Sequence, residues 1–354
     1  MRNIARLAFI QILIFVAGLA CIELALRYFM PLPSHGGVYH SRDGKATRVV
    51  MDKFRLQPNL HVTHEAAEFS AEIHTNELGY RAMSNESMTP QFLFLGDSFT
   101  FGHGVSDDET FSSIFCTTNN LSCMNLGRSG TSTFDQVRIL KYAIETYNVQ
   151  MKTVVLVMLT ACWIDQSGND LGENLSHYRK KQKKKSPGVT TAPSPTSWFI
   201  KSAHAQQANN PAPKNDLTKT IQHWIGNLEI TKRTMSILSS QLKATLYACS
   251  DQDTIDSAMS ATRVTLDKLE RLSIKHHFDV RIIAIHPYQE LAGSFRKTED
   301  DLQRAIPGTF EYTRTGEQFS KAHYFPYDGH FNTAGHANMA SILQNSLFGT
   351  TTPK

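Results

Sequence analysis

The sequence predicts an α/β protein built on a doubly wound parallel sheet, and two observations support this fold class. Three short runs of almost uninterrupted apolar residues are separated by stretches with helical periodicity. Such runs are typical of strands that helices cover on both faces of a parallel sheet. The chain has 354 residues, of which 41% are hydrophobic, so it is long enough for one substantial core and its helical layers.

The predicted strands and helices alternate along the chain, as a doubly wound fold requires. The strands are the FLFL run after Gln91, Thr153–Leu159 and Asp279–Ile285. The helices are Thr133–Tyr147, Leu217–Ala248, Thr254–His276 and Ala334–Leu347.

The N-terminus, residues 1–30, predicts a membrane anchor. Leu7–Leu26 contains twenty residues interrupted only by Gln11 and Glu23, and a helix of this length just crosses a hydrocarbon core of about 30 Å. The alternative is a cleaved signal peptide. The apolar run is longer than an ordinary signal-peptide core, and no clear A-x-A cleavage site precedes Pro31, so a retained transmembrane helix is favoured.

A short N-terminal tail in the cytoplasm would make the chain a single-pass membrane protein with its soluble part on the extracytoplasmic (periplasmic) side. Basic residues occur on both sides of the apolar run, so their distribution does not decide the orientation. In that oxidising compartment Cys116 and Cys123, which flank TTNNLS, can form a disulfide. Cys162 and Cys249 are expected to be buried thiols.

The basic residues are concentrated in one segment. The net charge is +4, but Arg179–Lys185 (RKKQKKK) alone carries six positive charges, which indicates a basic loop and not a nucleic-acid-binding face. This loop would open a flexible, proline-rich insertion at 179–215, either merely solvated or in contact with anionic glycan or lipid headgroups. Residues 31–90 would be a linker and N-terminal extension, and 91–350 the main domain.

Two short motifs suggest chemistry. Gly96–Thr100 (GDSFT) follows the FLFL run directly, so Ser98 would lie at the carboxyl end of a strand, at the start of a helix, where backbone N–H groups can stabilise an oxyanion. Near the C-terminus Asp328 and His330 are two residues apart in a loop before a helix. A serine nucleophile needs a base, and the base needs a carboxylate to hold its tautomer.

With these motifs in order, the sequence resembles the SGNH (GDSL-type) serine hydrolases, and more narrowly their bacterial membrane-anchored members. The resemblance rests on five elements: E-x-x-L-R at Glu23–Arg27, N-x-x-G-[FY]-R at Asn76–Arg81, the serine block Leu95–Phe111, N-x-G-x-x-G at Asn125–Gly130, and D-G-H-x-N-x-x-G-H at Asp328–His336. It covers nearly the whole chain except the insertion, and implies a three-layer fold.

The resemblance implies that Ser98 is the nucleophile, that His330 is the general base and later acid, and that Asp328 orients His330. It also implies that the backbone N–H groups of Ser98 and Gly130 contribute to the oxyanion hole. The family's third donor is an asparagine just after the next strand, which here is followed by Thr160–Asp165 without one.

A late match to the missing asparagine leaves two alternatives open. Gly168-Asn169-Asp170 follows the expected position by about eight residues. Either a short insertion lets Asn169 reach the site, or the match is accidental and the donor is lost. Losing one oxyanion donor typically costs about 10²–10³ in rate, so the loss would weaken catalysis without abolishing it.

The resemblance implies a serine esterase or deacylase acting on ester, above all O-acetyl, groups of a carbohydrate, a cell-envelope polymer or a lipid. An O-acyltransferase of the same fold and a catalytically weak carbohydrate-binding or assembly protein are the alternatives. Arg128 either holds an anionic group of the substrate or forms a surface salt bridge. His103 and His336 are expected to lie behind the site or at the surface. No motif for metal, NAD or ATP is present, so no cofactor is predicted.

Overall fold

The computed structural model describes residues 10–11, 17–24, 37–161, 170–185, 249–288, 290, 295–326 and 328–349. Among these residues, no helix combines the length and the apolar character that crossing a membrane requires. Half of the predicted anchor, Leu7–Leu26, lies outside the described residues, and the predicted helix Leu217–Ala248 lies entirely outside them.

The chain divides into two compact units, of which the first comprises Pro33–Gln182 and Tyr247–Lys354. The first unit contains the sheets and the candidate site. Its strands are β1 (Val38–Ser41), β2 (Ala46–Thr47), β3 (His61–Glu65), β4 (Ser70–His74), β5 (Phe92–Leu95), β6 (Cys123–Asn125), β7 (Thr153–Leu159), β8 (Asp279–Ile285) and β9 (Glu311–Arg314). The helices that pack with them are α1 (Ser98–Phe101), α2 (Phe111–Thr118), α3 (Thr133–Tyr147), α4 (Asp170–Lys185), α5 (Gln252–His276), α6 (Phe295–Ala305) and α7 (Thr333–Phe348).

The central sheet has five parallel strands in the order β6-β5-β7-β8-β9. From β5 the chain first adds β6 on one side and then continues with β7 on the other, so the winding direction reverses between β5 and β7. The predicted parallel sheet is confirmed, and the bounds of β7, β8 and α3 are those that the sequence predicts.

Helices cover both faces of this sheet, which gives three layers. Alternate side chains of β5, β7 and β8 enter two separate cores, as the two-residue period of a strand requires. On one face Leu93 and Leu156 pack with residues of α3, α5 and α6. On the other, Phe94 and Val157 pack with residues of α2 and α7. Burial on both faces explains why these strands are uninterrupted apolar runs.

A second sheet forms within the segment that the sequence presents only as an extension. Strands β1 to β4 are antiparallel in the order β2-β1-β3-β4. Its core residues Leu60, Val62 and Ile73 pack against Phe101, the last residue of α1. This small sheet therefore supports the helix that begins at Ser98.

Two sequence expectations need correction. Arg179–Lys185 is not a loop, because it forms the last two turns of α4; residues 186–215 of the predicted insertion lie outside the described residues. Cys249 is not a buried thiol, since it is disulfide-bonded and exposed, whereas Cys162 lies outside the described residues. The Cys116–Cys123 disulfide is confirmed, and it joins the end of α2 to the start of β6.

Candidate active site

Ser98 begins α1 immediately after β5, with each neighbour in the motif serving a different structural purpose. Asp97 caps the helix, because its carboxylate accepts the backbone N–H of Phe99 at 2.9 Å. Gly96 allows a close approach, since a Cβ at this position would lie 2.0 Å from the Thr100 hydroxyl and 3.0 Å from the Val157 carbonyl oxygen. Ser98 itself stays half-buried and accessible.

The position of Ser98 in the sheet is one that favours ligand binding. It follows β5, and the winding direction of the sheet reverses between β5 and β7. In open α/β sheets ligands bind outside the carboxyl ends of the strands, at the point where the strand order reverses.

The loop before α7 brings a histidine and a carboxylate to this serine. His330 Nε2 lies 2.7 Å from the Ser98 hydroxyl oxygen. His330 Nδ1 hydrogen-bonds to Asp328 Oδ1. The three predicted residues therefore form one continuous hydrogen-bonded chain across 232 positions of sequence, with the geometry of a nucleophile, a base and an orienting carboxylate.

Asp328 is held as a carboxylate by its surroundings. Burial alone would raise the pKa of its carboxyl group, but the imidazoles of His103 and His330, which both face the carboxylate, lower that pKa well below its ordinary value. The Asp328 backbone N–H donates to Glu68 at 2.7 Å, which fixes the loop from the side of the small sheet. An ionised, fixed Asp328 suits the role of orienting His330.

The turn that contains Gly130 lies against the end of β5. The backbone N–H of Arg128 donates to the carbonyl oxygen of Gly96 at 3.0 Å. Gly127 packs so tightly that a Cβ would lie 2.4 Å from the Phe101 backbone nitrogen. Gly130 has a left-handed φ of 71°, and a Cβ there would meet no atom within 4 Å. These contacts place the turn beside Ser98, where backbone donors for an oxyanion are expected.

Asn169, the predicted third oxyanion donor, lies outside the described residues, but its neighbour Asp170 is described. The buried Asp170 carboxylate accepts the backbone N–H of Leu159 at 2.8 Å and that of Thr133 at 2.5 Å. It therefore ties the end of β7 to the start of α3. Burial and the nearby charge of Asp97 raise the pKa of Asp170 to about 8.

Arg128 does not form the surface salt bridge that was one of its two interpretations, as far as the described residues show. Its Nη1 donates to the carbonyl oxygen of Lys53. Its Nε is buried, with no hydrogen-bond partner among the described residues. Burial lowers the pKa of Arg128, and the charges of Asp52 and Asp135 oppose that shift. Binding of a substrate anion by Arg128 stays a prediction.

The two accompanying histidines are both buried, and neither is a surface group. His336 accepts the backbone N–H of Phe111 at 3.2 Å, and burial lowers its pKa to about 3. His103 stacks on His330 with ring centroids 4.2 Å apart. The groups around His103 could not be predicted from the sequence, because His64 and Phe69 come from the strand and hairpin of the small sheet. Only their aromatic character indicated that they pack against another ring.

Among the described residues, two groups of side chains have donor atoms close enough for a metal ion. In the first, His103, Asp328 and His330 face one another, but these are the atoms that form the chain to Ser98. In the second, His61, Glu72 and His74 lie on the small sheet. There His61 bonds to Glu72 at 2.9 Å, and His74 bonds to Asp107. Ordinary hydrogen bonds therefore account for both groups.

The fold and the site define an α/β protein with a Ser–His–Asp constellation at the reversal point of a parallel sheet. No protein-family model and no curated protein sequence matches the chain. The solved structures that are similar to it include G-D-S-L family lipolytic proteins from Desulfitobacterium hafniense DCB-2 (8% identity, 75% of this chain and 100% of that chain, TM-score 0.38) and Veillonella parvula DSM 2008 (14% identity, 75% and 98%, TM-score 0.37). An acetyl xylan esterase from Butyrivibrio proteoclasticus is also among them (11% identity, 80% and 65%, TM-score 0.33). Similarities this low assign neither a family nor an activity, so the function must be argued from the site.

Proposed function

We propose that this protein is a serine esterase or deacylase in which Ser98 forms an acyl-enzyme. The observation that carries the proposal is the hydrogen-bonded chain Ser98–His330–Asp328, with 2.7 Å between the serine oxygen and His330 Nε2. A base within this distance of a serine hydroxyl can take its proton during attack on a carbonyl carbon.

The reaction would proceed in two halves. Ser98 Oγ attacks the ester carbonyl carbon while His330 Nε2 takes the hydroxyl proton, and the backbone N–H groups of Ser98 and Gly130 bind the oxyanion. The tetrahedral intermediate then collapses, the protonated His330 gives its proton to the leaving alcohol, and an acyl-Ser98 ester remains. A water molecule, deprotonated by His330, releases the acid and restores the serine.

Asn169 is proposed as the third oxyanion donor. What supports it is Asp170, the next residue, whose carboxylate bonds to Leu159 at the carboxyl end of β7. Strand β7 is the neighbour of the strand that leads to Ser98. Because consecutive Cα atoms are about 3.8 Å apart, the Asn169 side chain leaves the backbone close to Asp170.

The substrate class proposed from the sequence resemblance is an O-acylated, above all O-acetylated, carbohydrate, cell-envelope polymer or lipid. Transfer to a sugar hydroxyl differs from hydrolysis only in the group that attacks the acyl-Ser98 ester. The same residues therefore serve an O-acyltransferase, and acceptor addition distinguishes the two reactions.

The test is a fluorophosphonate, which phosphonylates an activated serine, together with p-nitrophenyl acetate as an ester substrate. Wild-type protein and Ser98→Ala would be compared with Ser84→Ala, a matched change at an exposed serine of the described chain. Labelling and p-nitrophenol release that disappear only in Ser98→Ala support the proposal. A folded wild-type protein that neither labels nor releases p-nitrophenol would overturn it.

A further inference from the structure

His103 is a second histidine on the carboxylate that orients His330. Its Nε2 lies 3.5 Å from Asp328 Oδ2, whereas His330 bonds to Oδ1 of the same carboxylate. The His103 and His330 rings stack with centroids 4.2 Å apart and an interplanar angle of 29°. Each histidine therefore contacts the other and also one oxygen of Asp328.

The loop that carries His103 is held rigidly from inside by Arg81. The fully buried guanidinium of Arg81 donates to the carbonyl oxygens of Phe101, Gly102 and Val105 at 3.1, 3.3 and 2.8 Å. It also pairs with Asp107, at the far end of the loop. Four contacts from one rigid, planar group fix the backbone on both sides of His103.

The ring of His103 is held by the small sheet. His64 of β3 meets it edge to face at 4.6 Å, and Phe69 does so at 5.5 Å. His330 stacks on the same ring, and only 10% of the His103 side chain is exposed. Contacts of this kind leave the ring little freedom to rotate away from Asp328.

The surroundings of His103 favour a neutral ring. Burial lowers the pKa of His103, the Asp328 carboxylate raises it, and the charges of His330 and Arg81 lower it again. His64 also faces the ring, and Glu68 binds the Asp328 backbone. The buried Nε2 makes no hydrogen bond to the described residues, so His103 meets Asp328 by close approach and His330 by stacking.

We propose that His103 is a positioning residue for the Ser98–His330–Asp328 chain, an inference that rests on the proposed function. It lies against the second oxygen of Asp328 and backs the His330 ring, so that His330 keeps its bond to Asp328 and its Nε2 stays directed at Ser98.

The test asks whether the ring of His103 holds the ring of His330. In the full chain, His103→Gln removes the ring, whereas His103→Phe keeps a ring that can stack. His276→Gln, at the end of α5, is the matched control. The order of the His330 ring would be followed by ¹⁵N-histidine NMR relaxation, with His330→Gln to assign its signal, and the rate of fluorophosphonate labelling would be recorded in parallel.

We expect His103→Gln to loosen the His330 ring and to slow labelling by at least about tenfold, since a displacement of about 1 Å in such a site can cost up to about 10²-fold in rate. His103→Phe should keep both close to the wild type. A merely structural role would lower thermal stability in both variants and leave the order of the His330 ring unchanged. An unchanged His330 ring in folded His103→Gln therefore overturns the inference. Because the NMR measurement needs no turnover, a wild-type protein that fails to label would count against the proposed function alone.

Discussion

At the scale of single residues, burial decides what each polar group of the motifs can do. Asp97 and Asp328 are both aspartates beside the reactive groups. Burial raises the pKa of Asp97 to about 7, whereas two imidazole partners lower the pKa of Asp328. Asp97 caps helix α1 by accepting the Phe99 N–H, and Asp328 is the carboxylate available to orient a base.

His336 predicts how stability depends on pH. Its pKa falls from 6.5 to about 3 because the folded protein buries the neutral ring against Phe111. Below about pH 6.5 His336 binds a proton in the unfolded chain but stays neutral in the folded chain. The free energy of unfolding should therefore fall as the pH decreases from about 6.5 towards 3.

Replacement of this histidine tests that expectation. His336→Asn retains an acceptor for the Phe111 N–H but does not titrate, so its unfolding free energy should depend less steeply on pH over this window. Urea unfolding at several pH values measures the slope. His277→Asn, at an exposed helix end, serves as the control and should keep the wild-type slope. An unchanged slope in His336→Asn would show that the ring is not buried neutral.

At the scale of elements, the site depends on a helix of only four residues, α1, which cannot hold its own position. An isolated helix this short is unstable in water. It is fixed by the Asp97 cap, by the packing of Phe101 against the small sheet, and by the turn at Gly127. The position of Ser98 is thus fixed by contacts with three neighbouring parts of the chain.

Gly127→Ala should disturb this arrangement more than it disturbs the fold. The added Cβ would lie 2.4 Å from the Phe101 nitrogen and 2.6 Å from the Thr100 carbonyl carbon, so either α1 or the turn must move. Displacements of about 1 Å in such sites can cost up to about 10²-fold in rate. We expect the rate of fluorophosphonate labelling to fall by at least about tenfold.

Gly308→Ala is the matched control, because its Cβ would meet no atom within 4 Å. Thermal unfolding would be recorded for both variants to separate a local shift from global destabilisation. Labelling of Gly127→Ala at the wild-type rate would mean that α1 is not fixed by this contact.

At the scale of the whole molecule, three distant parts of the chain meet at the site. The β3–β4 hairpin contributes Glu68, the segment after β5 contributes Ser98, and the loop before α7 contributes Asp328 and His330. The predicted extension at 31–90 is therefore part of the architecture around the site. Truncation between the hairpin and β5 would remove that support.

Location is a separate question for the whole chain, and we propose that this domain lies on the extracytoplasmic side of a membrane. The disulfide between Cys116 and Cys123, and the disulfide-bonded state of Cys249, support an oxidising compartment. The anchor proposal itself depends on Leu7–Leu26.

Thiol trapping in intact cells tests the location. In the full chain, Cys116 and Cys123 should react with a maleimide only after reduction, as counted by mass spectrometry. A chain without residues 1–30, retained in the cytoplasm, should show both thiols free. Free thiols in the full-length protein would contradict export of the domain.

The sequence by itself determined the parallel sheet, its three central strands and the identity of the three residues that meet at the site. These follow from local patterns, because burial on both faces imposes uninterrupted apolar runs and GDS marks the end of one of them. Only the tertiary structure decided which groups surround Asp328. His64 and Glu68 belong to a segment without a recognisable local signal. His103 lies within the serine block, but contacts between a small antiparallel sheet and a distant loop leave no period in the sequence that would show its neighbours. The basic segment at 179–185 was also predicted wrongly from its local pattern. Its charge suggested a loop, but the segment continues helix α4.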